Sequence, residues 1–483
     1  MITMHHHIYQ VPFHVLCEYL DLIELKNLAN TNRSLKKLVY AAAEPVVEIT
    51  KPRMGIILMK LCANVKLKAS QPLKRVNDKM LNKLTRLTCL YLPSAPMLSK
   101  PVTNKGLSYL PYLTYLNLRK NNYITDKDLI NLTSLQNLDL TDNKLITHIG
   151  ITHLTNLSQL IIFNNDKINN FSIMHLTNLR CMAVSGNNFI TDVGIASLLN
   201  LTNLEYRYCD NITDDGLGCL TNLIRLNFSS DKITNRSIGK LINLTSLDLN
   251  NNDSFNDEGL ISLSKLTKLK INNNCGISNV GISKLKNLRE LMLTNSHNIT
   301  DQGIKNLTML TKLSLYDDDQ ITDCGLSHLI SLIELKILEN SNIKGKCFPF
   351  LVNLKFLTIF KSSIADRYMI YLLKLQRICV SNCRYLTDVG INVLSNLKYI
   401  FLEGSIRGTK DGSSLGSYSD AAVISLPKLK EIRLKGDHDI DDKDMILSKR
   451  DVKIIEDDTF NCEKYFFNDN WLNMCYELYD DDE

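Results

Sequence analysis

One leucine position recurs along this chain with a near-constant period. From Leu113 the register returns at Leu135, Leu157, Leu179, Leu201, Leu223, Leu244, Leu266, Leu288, Leu310, Leu332, Leu354, Leu375 and Leu397, in steps of 22 residues except for two of 21. An earlier unit opens at Leu87 and a later one at Leu429, for about sixteen units. A phase held this long constrains the fold more than any single motif, because each unit must offer the same faces to the units on either side. It also removes the usual limit on core size. A chain of 483 residues would otherwise divide into compact domains, since single cores stop growing near roughly 250–300 residues.

Within a unit the pattern opens L-x-x-L-x-L, as in Leu113, Leu116 and Leu118, and its last two leucines alternate as in a short strand. Three positions later stands a polar residue: Asn121, Asn143, Asn165, Asn187, Asn252, Asn274 and Asn340, with Cys209, Asp231 and Asp318 at the same step. An inward amide there can bond the turning backbone of its own and neighbouring coils, which predicts a polar ladder. The phrase I-T-D-x-G-[LI] follows. Thr191, Thr213, Thr300 and Thr322 read as caps of a short helical turn, and Gly194, Gly216, Gly303 and Gly325 as sites of close packing. One unit buries about five apolar side chains at ~1.5–3 kcal/mol each, against an ordering cost of ~1–2 kcal/mol per residue. A unit therefore folds only when stacked, and the two ends need covers.

These residues resemble the leucine-rich repeat, L-x-x-L-x-L-x-x-N/C-x-L, over residues 87–441. The resemblance implies an α/β fold: a curved solenoid with a parallel sheet on the concave face and short helical or 3₁₀ turns outside. With leucines inward, the residues between them face the concave side. Those columns are polar at Asn117, Asn137, Asp139, Asp248 and Asn272, which predicts a solvated middle. Toward the C-terminus they become aromatic and basic. Phe356, Phe360, Arg377, Tyr399 and Phe401 form the candidate partner-binding patch, the composition of an interface hot spot. The alternative is a register that turns these aromatics inward, or an intramolecular lid. A Gly/Ser-rich insertion at 403–422 is placed to overhang them.

Four regions follow: 9–44, 45–86 as a linker or N-terminal cap, the repeats at 87–441, and 442–483 as a C-terminal cap with an acidic tail. The first carries Val15, Leu16, Leu20, Leu25, Leu28, Leu35 and Leu38 at helix-like spacings. It resembles a small all-α F-box: Val11-Pro12 stands where that family has Leu-Pro, and Tyr19-Leu20-Asp21 matches the end of its first helix. Leu35 stands where the family commonly has Trp, and the stretch from Pro12 to Leu20 is about one helical turn short. The resemblance implies docking onto a Skp-family adaptor through Pro12, Leu16 and Leu20, and membership of a cullin–RING ubiquitin ligase as its substrate receptor. The competing expectation is a plain binding scaffold whose N-terminus only caps the solenoid.

Composition narrows the remaining classes. Thirteen cysteines, an odd count without C-x-x-C pairs, point to reduced thiols in the cytoplasm or nucleus. The net charge of +5 is small and dispersed, against a nucleic-acid interface, and no apolar run reaches the ~18 residues of a membrane span. His5, His6 and His7 lack further ligands at metal spacing, so no metal or cofactor is expected. No phosphate loop, H-E-x-x-H or G-x-S-x-G occurs, so the expectation is a monomeric, non-enzymatic chain with an unknown protein target on the concave face. The wealth of Asn, Ile and Lys is similar to repeat proteins of amoeba-infecting giant viruses, which would place the chain in a host cytoplasm.

Overall fold

The computed structural model describes residues 46–49, 51–61, 65–69, 76–92, 102–403, 426–435 and 452–456. Pro12, Leu16 and Leu20, with the whole of 9–44, lie outside the described residues, as do 404–425 and the tail beyond Glu456. The chain divides into two units, Met1–Asn222 and Leu223–Glu483.

The N-terminal unit carries, among its described residues, eight strands from Val46–Glu48 to Asn203–Arg207, each paired in parallel with the next in sequence. Two of them, Val46–Glu48 and Lys66–Ala69, fall in the stretch 45–86, so the ladder is already running before Leu87. That stretch also holds the ten-residue helix Pro52–Leu61. The C-terminal unit carries, among its described residues, eleven parallel strands, from Arg225–Ser229 to Lys453–Glu456. Its register is in step. Leu291, Leu313, Leu335, Leu357, Ile378, Ile400 and Ile432 lie opposite one another in successive strands. The opening leucine and the two apolar residues of its strand are buried in one coil after another, as at Leu310, Leu313 and Leu315.

The expected polar ladder is present. Asn143 is fully buried; its Nδ2 donates to Leu118 O at 3.2 Å and Asn121 O at 3.1 Å in the preceding coil. Its Oδ1 accepts from the N–H groups of Leu145 and Ile146, both at 3.0 Å. One amide thus satisfies four backbone groups that leave the strand ladder at the turn. The residue before each rung is left-handed, as at Lys120 (φ 57°), Asn273 (φ 49°) and Asp317 (φ 53°). The 21-residue unit opening at Leu223 corrects one expectation. Asp231 is exposed, and Ser230 holds the rung: its carbonyl takes Asn252 Nδ2, and its Oγ accepts from Lys232 N. No residue of 223–243 has positive φ, so the missing residue is the left-handed one.

On the opposite side the I-T-D-x-G phrase locks neighbouring coils. Thr213 caps the helix Asp214–Leu217, its side chain accepting from Asp215 N. Its own N–H and hydroxyl donate to the two carboxylate oxygens of Asp192 in the previous coil, at 2.8 and 2.7 Å. Thr322 does the same to Asp301, and Thr387 to Asp366. The glycine follows from this bond. A Cβ on Gly216 would fall 2.8 Å from Asp192 Cα and against its Oδ1, and one on Gly303 would lie 2.6 Å from Asn279 Oδ1. Gly216→Ala is therefore expected to lower stability by about 1–3 kcal/mol although Ala is the better helix former. Urea denaturation measures it, and a variant as stable as the parent contradicts the close approach.

Candidate functional site

Strands about 4.8 Å apart place same-face side chains of successive coils beside one another. In the C-terminal unit this makes three rows on the sheet face turned away from the leucine core. One row runs Lys268, Glu290, Lys312, Glu334, Phe356, Arg377, Tyr399, Glu431. The second runs Met292, Ser314, Lys336, Thr358, Cys379, Phe401, Arg433, and the third Thr294, Tyr316, Leu338, Phe360, Ser381, Glu403.

The charged stretch of the first row is self-paired. Glu290 bridges Lys268 at 2.9 Å and Lys312 at 3.0 Å, and Lys336 pairs with Glu334 at 3.5 Å. Burial alone would raise the Glu290 carboxyl, but the two lysines hold it below its usual value.

All five residues of the predicted patch lie on this face, in the strands Phe356–Phe360, Arg377–Ser381 and Tyr399–Glu403. The structure separates them into two groups. Arg377 is exposed and sits between two half-buried rings, its guanidinium carbon 5.4 Å from the centre of Phe356 and 5.3 Å from that of Tyr399. The register Phe356, Arg377, Tyr399 imposes this sandwich, a cation–π arrangement on both sides. Phe360 and Phe401, by contrast, are only 6% exposed. They cluster with Leu338 and Cys379, with Tyr316 and Met292 packed against them. Lys361 Nζ lies 4.8 Å from the centre of the Phe360 ring and pairs with Glu339.

The expectation of an evenly exposed aromatic patch is corrected accordingly. Phe360 and Phe401 point away from the leucine core, yet the cluster they form with Leu338 and Cys379 covers them. The same effect closes the expected solvated middle in places. Asn117, Asn137 and Asp139 are buried, and Asn117 Nδ2 donates to Asp139 Oδ2 at 2.9 Å.

Beside Arg377 the face is indented. A cavity of about 260 Å³ is lined by Thr358, Arg377, Cys379, Tyr399, Phe401, Glu431 and Arg433, with Ile378 and Ile400. The neighbouring Arg433 is occupied, its Nε donating to Glu431 at 2.7 Å. Cys379 and Thr358 were absent from the sequence-based patch. They share a column with Phe401, one and two coils away, and that shared column was the signal. Among the described residues no group of His, Cys, Asp and Glu could hold a metal ion, and no helix is long and apolar enough to cross a membrane.

A family model described as Leucine Rich repeat matches residues 109–132, 175–199, 240–264 and 263–286. No curated protein matches the sequence. Among solved structures, a leucine-rich-repeat protein of Leptospira interrogans is similar at 23% identity and TM-score 0.53, over 80% of this chain and 99% of that one. The TLR13 chain of a TLR13–ssRNA13 complex is similar at 21% and 0.53, over 79% and 65%. An internalin from Listeria monocytogenes str. 4b F2365 gives 24% and 0.43, over 70% and 90%. The parallel strands, short helices and matched repeats together make this a leucine-rich-repeat fold.

Proposed function

We propose that this leucine-rich-repeat chain is a non-catalytic receptor that holds a protein target on the C-terminal strands of its open sheet face. The observation that carries the reading is the sandwich of exposed Arg377 between Phe356 and Tyr399, beside a cavity over buried Phe401. Stacked Arg and aromatic side chains around a covered apolar centre are the make-up of an interface hot spot. Upstream on the same face the lysines and glutamates pair with one another, so that stretch has less to offer a partner.

The second half of the proposal concerns the N-terminus. Its resemblance to an F-box supports docking of a Skp-family adaptor through Pro12, Leu16 and Leu20, which would make the chain the substrate receptor of a cullin–RING ligase in the cytoplasm or nucleus. Catalysis would then be by proximity: the receptor raises the target's effective concentration at a separate ubiquitin-transferring enzyme. Co-purification of the full chain with a Skp-family adaptor tests this, against a chain lacking residues 1–44. The expected result is binding lost on truncation while circular dichroism of the repeats is kept. Equal recovery from both chains, or none from several adaptors, replaces it with a scaffold whose N-terminus is a cap.

A further inference from the structure

Arg377 differs from the basic residues around it. Lys268, Lys312, Lys336, Lys361 and Arg433 each have a carboxylate within ion-pair distance. Arg377 makes neither an ion pair nor a side-chain hydrogen bond with any described residue; its contacts are the two rings. Ring contacts use the charge of a guanidinium and leave its five N–H donors unspent. The strand register also fixes its position, because Phe356 and Tyr399 hold the group from both sides and reduce the conformational freedom it would lose on binding. Such a guanidinium is built to accept a carboxylate in two parallel hydrogen bonds.

The cavity sets the rest of the ligand. At about 260 Å³ it lies below the range of roughly 300–1,000 Å³ typical of small-molecule sites, and has room for one or two side chains. Cys379 and Phe401, each nearly buried, line it together with buried Thr358. Glu431, the one carboxylate among the described lining residues, is held by Arg433, so it is partly neutralised toward an incoming anion.

We infer that this cavity takes an Asp or Glu side chain of an extended segment of the protein target, its carboxylate on the Arg377 guanidinium and an adjacent apolar residue over Phe401 and Cys379. The inference rests on the proposed receptor role and names the chemistry of the segment received. Specificity arises because the guanidinium fork matches a carboxylate, whereas an amide in its place would present a donor to a donor.

The experiment selects 12-residue peptides from a phage-displayed random library on the immobilised full chain, then measures synthetic copies by fluorescence anisotropy. The expected peptides share an Asp or Glu within two positions of an aromatic or branched apolar residue. Arg377→Gln weakens them at least tenfold, as does Glu→Gln in the peptide, and the two changes together cost no more than either alone. Arg377→Lys, which keeps the charge and loses the fork, recovers part of the affinity. Arg377 is exposed, so these variants fold, and circular dichroism checks it. Peptides without an acid, or affinities within twofold on Arg377→Gln, overturn the inference. If such binders are still lost in Tyr399→Ala, where a half-buried ring of the same cavity is removed and circular dichroism confirms the fold, the receptor face stands and only the carboxylate assignment falls. A library yielding no binder sensitive to either change removes both.

Discussion

Asp318→Asn is expected to stabilise the C-terminal unit at neutral pH, by up to about 3 kcal/mol, and to abolish a pH dependence that the parent shows between about pH 4 and 7. Asp318 stands on a rung of the polar ladder, fully buried, where other coils have asparagine. Asparagine serves there by donating to two carbonyls of the coil before, as Asn340 does to Asp318 O at 2.8 Å and Ile321 O at 3.1 Å. An ionised carboxylate can only accept. Asp318 Oδ1 takes the N–H of Ser296 at 2.6 Å, but Oδ2 has no hydrogen-bond partner among the described residues.

Burial pushes this carboxyl up from 3.8 to about 6, against the hydrogen bonds from Ser296 and the backbone of Tyr316 and the nearby His297, and with Asp317 adding to the rise. The folded state therefore holds the proton more tightly than the unfolded chain. Stability from this group is fully present below about pH 4, is lost as pH rises through about 6, and is flat above that. Asparagine carries no titrating proton and restores both donors. Urea denaturation of parent and variant at pH 4, 5.5 and 7.5 isolates the effect, since the other carboxylates are common to both. A difference that does not grow with pH contradicts the account.

Asn340→Ala is expected to lower stability by about 3–5 kcal/mol. Besides its two donor bonds, Asn340 Oδ1 accepts from Asn342 N and Ile343 N, both at 2.9 Å. Its removal strands Ile321 O and the N–H of buried Ile343, and leaves Asp318 O only the bond from Ile321 N; a stranded buried group costs more than a hydrogen bond adds when made. The coils on either side should open first, because in a stacked repeat each coil leans only on its neighbours. Hydrogen exchange over 310–354 reads this directly. Asn342 is exposed and its side chain donates to Asp319 O, so Asn342→Ala serves as the control and should stay within about 1 kcal/mol. Equal protection in the two variants would mean that the ladder contributes little.

Much of this architecture is legible in the sequence because one coil's needs repeat. The leucine period places every strand from Leu87–Tyr91 to Glu431–Lys435, and the ladder and the Thr caps follow from residues within a single unit. What the sequence conceals is lateral. The bonds from Thr213 to Asp192 join residues 21 apart, and their reason, like that of Gly216, exists only once two coils are stacked. The patch shows the same limit. Column position tells which way Phe360 and Phe401 point, whereas their low exposure depends on Leu338, Cys379 and each other. The place of a deletion within a coil is equally hidden: the leucine step of 21 after Leu223 gives no sign that the left-handed turn residue is the one lost. The strands Val46–Glu48 and Lys66–Ala69 lie outside the L-x-x-L-x-L phase and carry too few leucines to join it.

The most direct test of the receptor account is site-specific photocross-linking in cells expressing the full chain, with a benzophenone amino acid at position 356 on the open sheet face or at position 373. Leu373 is 66% exposed and lies outside the strands, so it reports chance encounters. The account predicts a discrete protein adduct from position 356 that is absent from 373 and is lost when Arg377→Gln and Phe401→Ala are added. Adducts from 373 alone, or an adduct from 356 indifferent to those changes, would contradict it.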